Sequence, residues 1–162
     1  MIKIITTGGT IEGLDYENEK NRQIARMSIV DILEAANVSF KYKITEAFCK
    51  DSRLITIKDR IQLVSKIETS KEEKILITHG TITMLETAAL LGQVDFNKTI
   101  VLVGSFLLGT EKNSDAPFNL GYAICALRTL EKGVYIAMNG QIFPWDYVIK
   151  NVADNRFEFL IN

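Results

Sequence analysis

The sequence predicts an α/β fold in which a parallel sheet packs between helices. Short apolar runs alternate with segments of helical periodicity, and two of those runs end in glycines flanked by threonines. The chain has 162 residues, of which 47% are hydrophobic, and this is enough to build one full core. We therefore expect residues 1–162 to form a single-domain α/β/α sandwich of the flavodoxin-like or Rossmann-like type.

Five strands are predicted from short apolar runs. Strands of a parallel sheet are buried on both faces, so they are nearly continuous runs of β-branched and aliphatic residues. Such runs lie at residues 2–6, 40–47, 75–77, 99–103 and 134–138. Shorter β-like runs follow in the tail, at residues 141–143, 147–149 and 156–161.

Four helices are predicted between these strands from apolar residues spaced three to four apart. The spacing occurs at residues 28–36, 56–67, 83–91 and 116–130. Ser28 and Asp31 fit the capping box that begins a helix. Asp115 and Pro117 begin the last helix, and Gly133 follows its end. Helices are thus expected on both faces of the sheet.

Charge and composition exclude several classes of function. There are 19 basic and 20 acidic residues, so nothing indicates a surface for nucleic acid or for a membrane. No apolar run approaches the roughly 20 residues of a membrane span, and no signal-peptide pattern precedes the first strand. Cys49 and Cys125 are too few for a disulfide framework, which favours a cytoplasmic protein. The single histidine, His79, excludes a histidine-based metal cluster, and no cofactor is expected.

The loop after the first strand, Thr6-Thr7-Gly8-Gly9-Thr10-Ile11, is the first candidate for chemistry. Open α/β sheets bind ligands at the carboxyl ends of their strands. Glycines let the backbone approach a ligand and expose its N–H groups. The hydroxyl of Thr10 could then act as a nucleophile or as a hydrogen-bond donor. The alternative is an ordinary glycine turn at the end of a strand.

A second loop of the same kind, Thr78-His79-Gly80-Thr81-Ile82-Thr83, follows the strand at residues 75–77 and begins a helix. Backbone N–H groups at such a position favour an anion, for example a carboxylate. Two loops of this kind at parallel strand ends would converge on one pocket. The alternative is that Thr81 and Thr83 only cap the helix.

Several segments, in order, resemble the N-terminal domain of the bacterial-type L-asparaginase family. Residues 7–11 are similar to the family's first signature, and residues 78–84 with Glu86-Thr87-Ala88 are similar to its second. Residues 101–105 and 114–120 resemble a strand end and a helix start of the family. The resemblance extends over essentially the whole chain.

The resemblance implies a role for each matching residue. Thr10 would be the attacking threonine, activated by Tyr16, and Thr81 would be the second essential threonine. Lys150 would be the catalytic lysine, and Ser52 would bind the substrate's α-carboxylate. The other substrate-binding positions that the resemblance implies are Gly9, Gly80, Ile82 and Ser105. The reaction would release ammonia from the side-chain amide of asparagine or of a related small amide.

Three departures from the family pattern bear on activity. Ile82 stands where the family has an aspartate that binds the substrate's ammonium, and isoleucine cannot pair with a cation. The smaller C-terminal domain, which in the family helps to close the site from a neighbouring subunit, is expected to be absent. Phe106-Leu107-Leu108 replaces an Arg-Pro pair of the family. We therefore expect an amidohydrolase that is weakly active or altered in its substrate.

Two other interpretations of the loops stay open. A non-catalytic module would use them to bind a small carboxylate or an amino acid. A phosphate or nucleotide binder would use Gly8 and Gly9, although no P-loop or dinucleotide motif supports it. Lys150 could also be a solvated lysine on an edge strand.

Two further hypotheses concern motion and assembly. Residues 12–23 are polar and follow Thr10 closely, as the mobile lids of active sites do. The apolar runs Phe106-Leu107-Leu108 and Phe143-Pro144-Trp145 predict contact surfaces of a homodimer, unless they belong to the core.

Overall fold

The computed structural model describes residues 1–14 and 29–161 of the chain. Its main sheet has six strands: β1 (Ile2–Thr6), β2 (Tyr42–Glu46), β3 (Lys74–Thr78), β4 (Thr99–Val103), β5 (Gly133–Met138) and β6 (Gln141–Pro144). They lie in the order β2-β1-β3-β4-β5-β6, and every neighbouring pair is parallel except β5 with β6. The predicted α/β class with a mostly parallel sheet is confirmed.

In the described ranges, four α-helices connect or flank the parallel strands: α1 (Ile29–Ala35), α2 (Ile57–Glu68), α3 (Met84–Gly92) and α4 (Ala116–Thr129). A capping box begins α2, where Thr56 and Asp59 each bind the other's backbone N–H. The α4 helix packs on β3, β4 and β5. Within the described ranges, no helix combines the length and the apolar character that a membrane crossing requires.

The core forms where the apolar runs predicted strands. Every residue of β4 is buried, and so are Ile75, Leu76 and Ile77 of β3. A strand flanked on both sides by other strands and covered on both faces cannot alternate between apolar and polar residues. The continuous apolar runs therefore follow from the central positions of β3 and β4.

The tail of the chain differs from a simple continuation of the parallel sheet. Asn139 and Gly140 both have positive φ, at 54° and 71°, and they join β5 to β6 in a two-residue hairpin. Hence β6 is antiparallel to β5. Beyond it, β7 (Val148–Asn151) and β8 (Arg156–Phe159) form a separate antiparallel pair. The three β-like runs of the tail are thus strands: the first adds an antiparallel strand to the main sheet, and the other two pair with each other.

Several predicted details are corrected or lie elsewhere. The second strand is shorter than residues 40–47, because only Tyr42–Glu46 pairs with β1. Ser28 and most of the predicted lid, from residue 15 onward, lie outside the described residues. Phe143 is fully buried, and the Trp145 ring occupies the space that a Cβ at Gly92 would need. Phe143 therefore belongs to the core, and Trp145 lies at its edge. For these two side chains, this is the alternative to a dimer contact.

The strand order places a crevice beside the two glycine loops. The order β2-β1-β3 means that the chain leaves β1 towards one side for β2 and later returns to the other side for β3. In open α/β sheets, ligands bind at such a switch point, outside the carboxyl ends of the strands. The loops that follow β1 and β3 both lie at this point.

Candidate functional site

A buried carboxylate joins the two glycine loops. Glu12 is 8% exposed, and its carboxylate accepts the Gly8 N–H and the Thr78 hydroxyl, each at 2.8 Å. The hydroxyl of Thr7 donates to the carbonyl of Thr78 at 2.7 Å. A buried carboxylate needs such hydrogen bonds, because a buried acceptor without a donor is unfavourable. The end of β1 is thereby fixed to the end of β3.

The two loops touch backbone to backbone, which requires glycine at the contact. A Cβ built on Gly9 would lie 2.7 Å from the Gly80 nitrogen, and Gly9 has a φ of +89°. A Cβ on Gly80 would lie 2.7 Å from the Ser52 hydroxyl oxygen. Only residues without a side chain fit this packing. The contact carries the chain into the short 3₁₀ turn Thr10–Glu12, with Thr10 half-buried at its start.

A cleft of about 500 Å³ opens at this contact. Of the sequence-predicted residues, seven line it: Gly9, Thr10, Ser52, Gly80, Thr81, Ile82 and Lys150. The side chain of Thr10 makes no hydrogen bond to any other residue that the structure describes. Tyr16 lies outside the described residues.

Lys150 reaches the cleft from β7. Its ammonium donates to the Thr81 hydroxyl at 3.1 Å and to the Thr81 carbonyl at 3.2 Å, and it lies 5.4 Å from the centre of the Phe106 ring. Burial lowers the pKa of the Lys150 ammonium, because the half-buried group has lost part of its hydration. Lys150 thus lies on the two-stranded β7-β8 sheet with its ammonium half-buried against Thr81 and Phe106, and burial makes its amine easier to deprotonate.

The threonines of the second loop do not act as helix caps. Thr83 is at the N-cap position of α3, yet its hydroxyl donates to the Ser52 carbonyl at 2.7 Å. Thr81 is bound to Lys150 instead. The alternative that both residues only cap the helix is thus wrong. Thr83 holds the Ser52 segment beside Gly80.

Ser105 does not take part in the cleft. It is 1% exposed, and its hydroxyl donates to the Leu107 carbonyl at 2.7 Å. The carboxylate of Asp115 accepts the backbone N–H groups of Phe106 and Leu107, so it does not cap α4. The cleft is lined instead by the three residues that follow, Phe106, Leu107 and Leu108, which form an apolar wall.

His79 has a structural role. Its ring is fully buried, with Nδ1 2.8 Å from the Gly80 carbonyl and Nε2 2.9 Å from the Thr87 hydroxyl. Since a carbonyl only accepts, Nδ1 carries the proton and Nε2 accepts from Thr87. Burial lowers the pKa of His79 to about 4. The neutral ring is committed to the loop and cannot serve as a catalytic base in the cleft.

Sequence reasoning missed several residues that line the cleft: Leu14, Arg53, Glu111 and Asn155. Arg53 follows Asp51-Ser52 directly, so its position was the one available signal. Glu111 and Asn155 lie in turns whose approach to the cleft depends on the tertiary fold. Within the described ranges, no group of three or more His, Cys, Asp or Glu side chains is arranged to hold a metal ion.

Comparison with known proteins bears on this cleft. The family described as "Asparaginase, N-terminal" matches residues 1–160. The chain is 33% identical to a glutaminase-asparaginase of Acinetobacter glutaminasificans, over 98% of this chain and 52% of that enzyme. The chain spans about half the length of the curated relatives that it matches.

Solved structures agree with the family match. The thermostable L-asparaginase from Thermococcus kodakarensis is similar with a TM-score of 0.84 and 31% identity, over 98% of this chain and 51% of that one. A probable cytoplasmic L-asparaginase from Campylobacter jejuni is similar with a TM-score of 0.80 and 27% identity, over 98% and 52%.

Proposed function

Because the chain belongs to the asparaginase family, as the match over residues 1–160 shows, we propose that it hydrolyses the side-chain amide of asparagine or of a related small amide and releases ammonia. The observation that carries this proposal is the hydrogen bond between Lys150 and Thr81 in the cleft that Thr10 also lines. The named relatives are enzymes, which is why hydrolysis is proposed rather than binding alone.

Thr10 is the proposed nucleophile. Its hydroxyl oxygen attacks the amide carbon, the C–N bond breaks, and ammonia leaves with the proton that the hydroxyl gave up. Water then hydrolyses the ester, which returns the hydroxyl and yields a carboxylic acid. A threonine hydroxyl is a weak nucleophile and needs a base close by. Tyr16 is the proposed activating residue.

Lys150 and Thr81 are the proposed proton carriers. The lowered pKa of Lys150 supports this role, because a lysine takes up a proton near neutral pH only when its pKa falls. The hydrogen bond from its amine to the Thr81 hydroxyl gives the proton a path towards the cleft. The glycine-rich backbone would stabilise the oxyanion as the amide carbon becomes tetrahedral.

Substrate binding is assigned to the segments around this centre. Ser52 is proposed to bind a substrate carboxylate, with Gly9 and Gly80 allowing the close approach. Ile82 makes the activity towards asparagine weak or shifts it to another amide. A homodimer and a cytoplasmic location remain predictions.

Ammonia release tests the proposal. The purified protein is incubated with asparagine, glutamine and small amides, and compared with the variant Thr10→Ala. Thr129→Ala is the matched control, because Thr129 lies at the far end of α4 and its hydroxyl bonds only to helix carbonyls. We expect Thr10→Ala to lose at least about a hundredfold in rate, as for an essential catalytic group, while Thr129→Ala keeps the rate. Equal ammonia release by all three proteins would refute Thr10 as the nucleophile.

A further inference from the structure

The charged side chains that line the cleft differ in how strongly each of them can interact with a ligand. Among the residues that the structure describes, four ionisable ones line it: Asp51, Arg53, Glu111 and Lys150. Their formal charges cancel, but their surroundings differ. The charge of the ligand that the cleft favours therefore depends on which of these side chains can interact with it in the buried part of the cleft.

The carboxylate of Asp51 is engaged by the protein itself. Asp51 is 6% exposed, and its oxygens accept the backbone N–H of Arg53 at 2.8 Å and the Nε of the same residue at 2.8 Å. It also caps the 3₁₀ turn Ser52–Leu54. To bind a ligand's ammonium, this carboxylate would have to give up a hydrogen-bonded ion pair, which is unfavourable in a buried place.

Glu111 is exposed to solvent in the loop between β4 and α4. An ion pair formed there with a ligand is screened by water and contributes at most about 1 kcal/mol. Lys150, in contrast, is half-buried. Among the described residues, its hydrogen-bond partners are the carbonyl and the hydroxyl of Thr81. No described carboxylate forms an ion pair with Lys150.

Ile82 completes this arrangement. It directly follows Thr81, and its side chain is 55% exposed and lines the cleft. Phe106, Leu107 and Leu108 add a further apolar wall. An ammonium placed against these groups loses water and finds no carboxylate among the described residues that is available to pair with it, and Lys150 in its protonated form repels it. A ligand carboxylate is attracted by that charge, while the like charge of Asp51 is offset by Arg53 and that of Glu111 is screened by solvent.

We propose that the cleft selects a small anionic amide that carries no ammonium group, the class in which one carboxyl of a short dicarboxylic acid is amidated, and that Ile82 sets this preference. The hydrolytic part rests on the function proposed above. The selection against an ammonium rests only on the charges and the apolar side chains of the cleft.

Succinate and L-aspartate test the selection directly, since they differ only in the ammonium group. Calorimetric titration of the unmodified chain should show succinate binding at least about tenfold more tightly than aspartate. Ile82→Asp should raise the affinity for aspartate by about 10- to 150-fold, the range of a charge-assisted hydrogen bond. Ile82→Asn is the matched control, because asparagine has the shape of aspartate without its charge. This variant should not restore aspartate binding.

Four results would overturn the inference. The first is aspartate binding as tightly as succinate, and the second is neither acid binding. The third is Ile82→Asn raising the affinity for aspartate as strongly as Ile82→Asp. The fourth is Glu111→Gln weakening aspartate binding further, which would make Glu111 the ammonium partner.

Ammonia release from succinamate and from asparagine separates this inference from the proposed function. Preference for succinate without turnover of either amide refutes hydrolysis and leaves the selection standing. Thr10-dependent turnover that favours asparagine refutes the selection and leaves hydrolysis standing.

Discussion

Mild acid should destabilise the protein through one buried ring. His79 is fully buried, and its pKa falls from 6.5 to about 4, chiefly because burial removes the hydration of the charged form and secondarily because of the nearby Arg60 guanidinium. In the unfolded chain the ring regains its ordinary pKa. Between these two values the unfolded state binds a proton that the folded state does not, so stability falls as the pH falls.

The size of the effect follows from the difference between the two pKa values. A difference of about 2.5 units corresponds to about 3 kcal/mol once both states are titrated, and the loss between about pH 7.5 and pH 5 is about 2 kcal/mol. The contribution is present in full above pH 6.5 and is lost progressively towards pH 4. Asp59, whose pKa Lys50 lowers to about 2, loses its contribution only below 3.8, outside this window.

Urea unfolding at a series of pH values measures this loss, with the fluorescence of the single tryptophan as the signal. The slope between about pH 7.5 and pH 5 should be steep in the unmodified chain and nearly flat in His79→Gln. Because His79 is the only histidine, its ring proton can also be followed by NMR without assignment, and it should titrate near pH 4. A ring that titrates near 6.5, or a stability that is constant over this window, would refute the reasoning.

Two further predictions concern the backbone around the cleft. Gly9→Ala should lower the free energy of unfolding by more than about 2 kcal/mol, because Gly9 has a positive φ and contacts Gly80. Gly121→Ala should raise the free energy of unfolding by about 0.5–1 kcal/mol, because a Cβ at this position would meet nothing within 4 Å. Equal urea midpoints for the two variants would contradict the packing of the loops. Asp115→Ala should lower the free energy of unfolding by about 1–3 kcal/mol and raise KM for an amide, because the N–H groups of Phe106 and Leu107 lose their acceptor. Asp95→Ala is the control, because Asp95 is exposed, and it should change neither quantity. Steady-state kinetics and urea unfolding check this, and an unchanged KM would show that the wall does not depend on Asp115.

The sequence predicted the strands better than it predicted their ends. Apolar periodicity reports burial, so the central strands β3 and β4 were recognisable from their runs alone. The run that forms β6 was predicted as β-like, but its antiparallel direction was not, although Asn139-Gly140 is a strong hairpin signal.

The cleft was predicted where local sequence determines it. Gly9 and Gly80 follow strands directly, and their positions follow from the rule that ligands bind at strand ends. Lys150 and Thr81 are 69 positions apart, and no local pattern relates them, so only the family resemblance placed both at one site. Ser105 was misplaced for the same reason, since a hydroxyl after a strand has no sequence signal for whether it turns inwards or outwards.

At this end of the sheet, the charged groups that hold the cleft together differ from the residue proposed to set its selectivity. The buried carboxylates of Glu12 and Asp51 accept hydrogen bonds from the protein, and they hold the loops that form the cleft. Lys150 and Thr81 form the pair proposed to move protons, and they are bound to each other. Ile82 bonds to neither group through its side chain. Changes at position 82 should therefore alter which acid binds, through an added or missing charge, while the loops keep their positions and the lysine keeps its partner.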